Sequence, residues 1–140
     1  MGDDFSACRL IFGEADGMPG LTIDKYGDIL VSQVLSYGMD MIKDMIFRLL
    51  AEELEKDGVK VSGIMERNDV AIRKLEGLEQ YKGWYKSEFL PEPPSNITEI
   101  TENGIRYEVG VENGQKTGFF LDQKYNRLAI QKLCKDARVL

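Results

Sequence analysis

Gly114-Gln115-Lys116-Thr117-Gly118-Phe119-Phe120-Leu121-Asp122-Gln123, continuing Lys124-Tyr125-Asn126-Arg127, is the stretch on which the reading of this chain turns. Two glycines bracket a cation and a hydroxyl. Such a turn presents backbone N–H groups that suit a carboxylate or a phosphate. Two phenylalanines follow, and then Asp122, a residue type that caps helices. From there Tyr125, Leu128, Ala129 and Leu133 recur at helical spacing, which predicts a helix to about Lys135 with those four side chains turned inward. Lys132 and Lys135 fall at its negative end. The run is not a nucleotide-binding P-loop. The first glycine at the required spacing is missing, and Lys116-Thr117 leads into Gly118-Phe119-Phe120 rather than into a helix.

Upstream, Asn103-Gly104 suits a type I′ hairpin turn. Ile105, Tyr107, Val109 and Val111 alternate with Arg106, Glu108, Gly110 and Glu112, the period-two pattern of a half-buried strand. Before the hairpin, Pro91, Pro93 and Pro94 interrupt residues 81–96, which read as a linker with a boundary near residue 95. Further back, residues 40–57 carry Ile42, Met45, Ile46, Leu49, Leu50 and Leu54 at three- and four-residue spacing, an amphipathic helix capped by Asp40 and closed by Gly58. A strand is expected at Ser62–Glu66. A short helix follows near 69–75, with Asp69 as cap and Gly77 as stop. Nearer the start, Leu21-Thr22-Ile23 and Ile29–Leu35 form a hairpin around a turn at 25–28, and the glycine-rich run 13–20 is a loop. At the other end, Ala137-Arg138-Val139-Leu140 reads as the opening of a buried strand that stops early, as if the chain were cut. The expected fold class is α+β: a small mixed β-β-α-β domain over residues 1–95, then a hairpin and helix over 96–140.

Composition narrows the function. No histidine is present, which removes imidazole ligands and Ser-His-Asp chemistry, and Cys8 and Cys134 have no metal-like spacing. No run approaches the ~18 apolar residues of a membrane helix. The start of the chain is acidic, with no signal peptide, so the expected location is cytoplasmic with reduced thiols. A net charge of −6 disfavours general nucleic-acid affinity. Yet residues 114–140 hold six basic and two acidic side chains, against 12 and 22 before them. Distinct partners for the two parts and simple surface variation both account for that contrast. Glu14, Asp16, Asp24 and Asp28 form an acidic group that turn chemistry explains as well as a cation does.

The run 114–127 resembles the G-Q-K-T-G-F-F-L-D-Q-R-x-N-R signature of SAM-dependent RNA cytosine-C5 methyltransferases of the 23S rRNA large-subunit type, departing at Lys124, where arginine is usual. Residues 13–28 resemble the family's G-E-x-D-G-L-P-G-L-x-x-D-x-Y-G-D. Glu66-Arg67-Asn68-Asp69 and Glu76-Gly77-Leu78 resemble its E-R-S-D and E-G-L, all in family order. The family order is a PUA RNA-binding domain, a central domain with a prominent hairpin, and a Rossmann-like methyltransferase domain. The resemblance implies that this chain is the central domain plus the truncated lead-in to the catalytic one. It also places the glycine-rich SAM loop and the nucleophilic cysteine elsewhere, so the fragment itself is expected to be inactive. No catalytic residue or metal ligand is expected here.

The same resemblance implies that S-adenosyl-L-methionine is bound by Gln115, Lys116, Thr117, Gly118, Phe119, Gln123 and Asn126, and that rRNA is bound by Lys124 and Arg127. Each has a plainer reading. Phe119 and Phe120 are either pocket walls or core; Asp122 is a cap; Arg127 is either an anion ligand or a surface ion pair. Exposed edge strands leave a homodimer open. The rival class is a non-catalytic module that binds RNA or protein.

Overall fold

The computed structural model describes residues 3–90, 93 and 95–138. Five strands form one sheet in the order β1-β2-β3-β4-β5: β1 Ala7–Phe12, β2 Leu21–Tyr26, β3 Ile29–Val34, β4 Gly63–Asn68 and β5 Tyr81–Trp84. All neighbours are antiparallel except β3 and β4, which run parallel because helix α1, Tyr37–Lys56, carries the chain back between them. A second, two-stranded sheet, β6 Ile97–Glu102 and β7 Ile105–Gly110, turns at Asn103-Gly104 with φ of 52° and 77°, both in the left-handed region that a type I′ turn requires. Helix α2, Lys124–Cys134, follows a 3-10 turn at Leu121–Gln123.

The large sheet is covered on both faces. On one, Leu21, Ile23, Leu30, Val34 and Ile64 meet Ile46 and Phe47 of α1. On the other, Tyr26, Ile29, Val31 and Met65 meet Ile100, Val109 and Val111 from the hairpin segment. Period-two alternation in β2 and β3 sends successive side chains to these two cores, which is why β3 opens on the unbroken apolar run Ile29-Leu30-Val31, while β2 alternates apolar residues with Thr22, Asp24 and Lys25. A β-bulge interrupts β1. Arg9 opposes Asp24 and Ile11 opposes Ile23, leaving Leu10 as the extra residue.

Several expectations shift. Helix α1 begins one turn early: Ser36, not Asp40, is its cap, accepting from the Met39 N–H at 3.4 Å, while Asp40 pairs with buried Arg73. Gly20 makes room for that cap. Its φ is +85°, and a Cβ there would lie 2.8 Å from the Ser36 side chain. The helix closes in a Schellman arrangement, with the Gly58 N–H donating to the Glu55 carbonyl and the Val59 N–H to that of Leu54. The buried stripe of α1 is rotated from the expected one: Met39, Leu50, Ala51 and Leu54 pack inward with Ile46 and Phe47, whereas Ile42, Met45 and Leu49 are exposed.

Residues 71–76 form a 3-10 helix, not an α-helix, with Val70 at its start, and Asp69 pairs with Arg67 instead of capping. The expected linker 81–96 is mostly built into the fold. β5 pairs with β4, Leu90 is buried, and Pro93 fills the space a side chain at Gly63 would need. The other two prolines of that stretch lie outside the described residues. Asp122 is not the cap of α2, which starts at Lys124, with Gln123 at the cap position and no side-chain cap. Tyr125, Leu128, Ala129 and Leu133 are exposed, not inward; among the described residues α2 is tied to the hairpin through Arg127 and the Lys124 carbonyl, and nothing covers its apolar side chains. Ala137 and Arg138 are exposed and outside any strand, and the remaining residues of that expected strand are not described.

Candidate functional site

The turn 114–118 is pinned to the large sheet from below. Gly114 and Gly118 approach so closely that a Cβ on Gly114 would lie 2.6 Å from the Gly118 Cα and 2.5 Å from the Gly110 carbonyl oxygen. The Gly118 N–H donates to the Gln115 carbonyl at 2.8 Å, closing the turn and leaving Lys116 at its tip with φ of 54°. A non-glycine residue in that region costs about 1 kcal/mol or more and is held only where its surroundings insist.

What insists is a buried polar cluster. Thr117 is 2% exposed and its Oγ1 donates to Asp24 Oδ2 at 2.6 Å. Asp24 on β2 is fully buried, and its other partner is Arg9, which grips both carboxylate oxygens at 2.7 and 3.0 Å. Arg9 lies directly opposite Asp24 in the β1–β2 ladder, just before the bulge, so the two side chains share a face. The Tyr26 hydroxyl lies 2.9 Å from Thr117 Oγ1, donates to the Phe119 carbonyl at 3.0 Å and accepts from the Phe119 N–H at 3.3 Å. Burial pushes its pKa up to about 12. From β4, Arg67 donates to the Gly114 carbonyl at 2.9 Å and the Val111 carbonyl at 3.4 Å while Asp69 accepts from its other edge.

Beyond the turn, Arg127 lies over the Phe119 ring at 4.3 Å and donates to both Glu102 oxygens (2.6 and 2.8 Å) and to the Phe120 carbonyl. The hydrogen bonds to Glu102 raise its pKa. Phe119 also meets Tyr107 at 5.2 Å between ring centroids. Lys116 reaches over Phe120 at 4.9 Å. The Asn126 amide donates to Gln123 Oε1 at 2.7 Å, and the Lys124 carbonyl accepts from Asn103.

The seven residues expected to hold a cofactor therefore form one ridge, but they face different ways. Gln115, Lys116 and Asn126 are exposed, Gln123 and Phe119 are half-buried, and the Thr117 hydroxyl is turned inward and committed to Asp24. Of the pair expected to bind RNA, Arg127 is occupied by Glu102 and by the turn it braces. Sequence reasoning missed Asp24, Tyr26 and Arg67, which hold the ridge from strands up to 93 residues away, and Arg9, which holds Asp24. The acids grouped by sequence, Glu14, Asp16, Asp24 and Asp28, do not converge. Asp24 is inside, Asp16 accepts from the Phe12 N–H, and no three possible metal ligands come together among the described residues. Cys8 is half-buried, and burial raises its pKa.

No family model matches the chain. It is 43% identical over 138 residues to the ribosomal RNA large subunit methyltransferase I of Aliivibrio fischeri strain MJ11, covering 99% of this chain and 33% of that protein. The protein of the same name from Photobacterium profundum is 45% identical over 138 residues, again 99% of this chain and 32% of the relative. Among solved structures, a putative SAM-dependent methyltransferase from Streptococcus mutans aligns over 89% of this chain and 29% of its own, at 27% identity and a TM-score of 0.65. A putative methyltransferase complexed with SAH aligns over 87% of this chain and 28% of its own, at 29% identity and a TM-score of 0.63. The fold is thus that of a segment of SAM-dependent methyltransferases, and along nearly its whole length the chain is similar to ribosomal RNA large subunit methyltransferases I, of whose length it spans about a third.

Proposed function

We propose that this chain serves a SAM-dependent methyltransferase that modifies rRNA in the cytoplasm, at C5 of a cytosine, with residues 1–95 as the central domain and 96–140 as the lead-in to the catalytic one. The observation that carries this is the identity of 43% along 138 residues to ribosomal RNA methyltransferases, a match that includes the braced turn 114–118. S-adenosyl-L-methionine supplies an electrophilic methyl on its sulfonium sulfur. The chain's residues fit the polar parts of such a cofactor on the outer side of the ridge. Gln115, Gln123 and Asn126 offer amides, Lys116 a cation for a carboxylate, and Phe119 a ring edge.

Thr117 and Gly118 serve the same site from within, by fixing the turn. Lys124 and Arg127 line the approach for rRNA, with Arg127 holding the Phe119 ring and the Phe120 carbonyl in place. In this reading neither Cys8 nor Cys134 is the nucleophile, which the family resemblance places elsewhere. Cys8 is held as the neutral thiol by burial, and the thiol is the unreactive form. The 140-residue chain alone is accordingly expected to transfer no methyl group.

Calorimetric titration of SAM against this chain and against a protein extending through the next ~120 residues of its gene tests the reading, at a length chosen from ordinary domain size. Binding to the longer protein alone, with tritium from labelled SAM appearing as 5-methylcytidine in rRNA, is the expected result. No binding to either brings forward a non-catalytic interaction module.

A further inference from the structure

A groove of about 440 Å³ separates the β1 end from the ridge, lined on one side by Arg9 and Phe12 and on the other by Lys116, Phe119, Phe120 and Asp122. We propose that this groove takes one unpaired base of an RNA strand, stacked against Phe12, with Lys116 and Asp122 at its rim reading the base edge and the adjoining phosphate. The inference rests on the rRNA reading above and adds Phe12 and Asp122 as base-contacting residues.

The geometry of β1 argues for it. Residues three apart on a regular strand point to opposite faces. The extra residue Leu10 in the bulge cancels that, so Arg9 and Phe12 share the face that looks toward the ridge, with the Arg9 guanidinium 5.2 Å from the Phe12 ring centroid. Bulges commonly re-aim side chains next to functional sites. Phe12 is 55% exposed, a large aromatic side chain left in water beside a concave surface. Phe120 opposite carries Lys116 over its ring in the same way. Two aromatic rings, each backed by a cation, make a stacking platform that every base can use.

The charges suit a base better than a bare phosphate. Arg9 is neutralised by Asp24 behind it, which leaves Lys116 as a donor and the exposed Asp122 carboxylate as an acceptor. A carboxylate at a base edge accepts from an exocyclic amine, as cytosine presents at N4.

The test is fluorescence anisotropy of labelled hexacytidylate with the 140-residue chain. Phe12→Ala is expected to weaken binding roughly 5- to 150-fold, the loss of one stacked base, while Phe12→Trp retains it. Lys116→Gln is expected to lower the salt slope by about one. Hexauridylate is expected to bind more weakly than hexacytidylate, and Asp122→Asn to erase that difference. Since Phe12 lies exposed on an edge strand, its urea midpoint serves as the folding control. Unchanged affinity in Phe12→Ala, or no binding of hexacytidylate to the wild-type chain, overturns the proposal. So does displacement of the oligonucleotide by S-adenosylhomocysteine, since the groove would then belong to the cofactor's adenine. Methylation of rRNA by the longer protein carrying Phe12→Ala at an undiminished rate would sink the groove and leave the functional reading standing. Absence of SAM binding would do the reverse.

Discussion

Thr117 shows how much one hydroxyl can hold. It sits where the ridge meets the sheet, donating to a fully buried carboxylate and lying against a buried phenol. Thr117→Val keeps the shape and removes the hydroxyl, so Asp24 loses a donor it cannot replace from water. An unsatisfied buried partner costs about 1–3 kcal/mol. We expect that loss as a lower urea midpoint at unchanged m-value, with Thr117→Ser restoring most of it. A Thr117→Val protein as stable as wild type would show that the cluster does not anchor the turn. Neighbouring Gly114 and Gly118 were legible as turn residues because only glycine tolerates such close backbone approach. The inward aim of Thr117 was not. The residue that decides it, Asp24, is 93 positions away, and local pattern carries no record of it.

At the scale of elements, helix α1 tests the same distinction. Ser36 and Asp40 are both plausible caps by type, four residues apart in one helical pattern. The tertiary fold separates their jobs: Ser36 caps, and Asp40 neutralises Arg73, a guanidinium only 2% exposed. Ser36→Ala should therefore cost about 0.5–2 kcal/mol, a cap's worth. Asp40→Ala should cost more, because it strips a buried cation of its carboxylate. Chemical denaturation of the two variants ranks them, and the reverse order would restore Asp40 as the cap. The hairpin turn at Asn103-Gly104 and the closing glycine of α1 were readable because each is fixed by local backbone conformation. β5 was hidden by the prolines that follow it, although its pairing with β4 needs only the four residues before them. Helix α2 misled differently: its apolar spacing is real, but among the described residues nothing covers that face.

Over the described residues several titratable groups lean one way, Asp69 excepted: burial works against its charge, but its hydrogen bond to Arg67 outweighs that and lowers its pKa. Burial raises the pKa of Tyr26 and Tyr85 to about 12 and raises those of Cys8 and Tyr81. Burial works against the Lys43 charge, but its hydrogen bonds to Glu66 and Tyr81 outweigh that and raise its pKa too. Each of these groups keeps its proton longer in the folded chain than in the unfolded one. Their stabilising effect is complete below the unfolded values, 9.0 for the thiol and 10.0 for the phenols, and is lost as pH rises through the folded ones. Unfolding free energy measured by urea should thus be level near neutrality and fall from about pH 9 upward, less steeply in Tyr26→Phe. A flat profile to pH 11 would contradict it.

The long reach between Asp24 and Thr117 also sets an order of events during synthesis. At 5–20 residues per second, the 93 residues between them take about 5–20 s to emerge. For that interval β2 carries its carboxylate and Tyr26 phenol on a face whose cover has yet to be made. The nascent chain passes through a half-roofed stage, with α1 able to close one face while the other waits for the hairpin and the ridge.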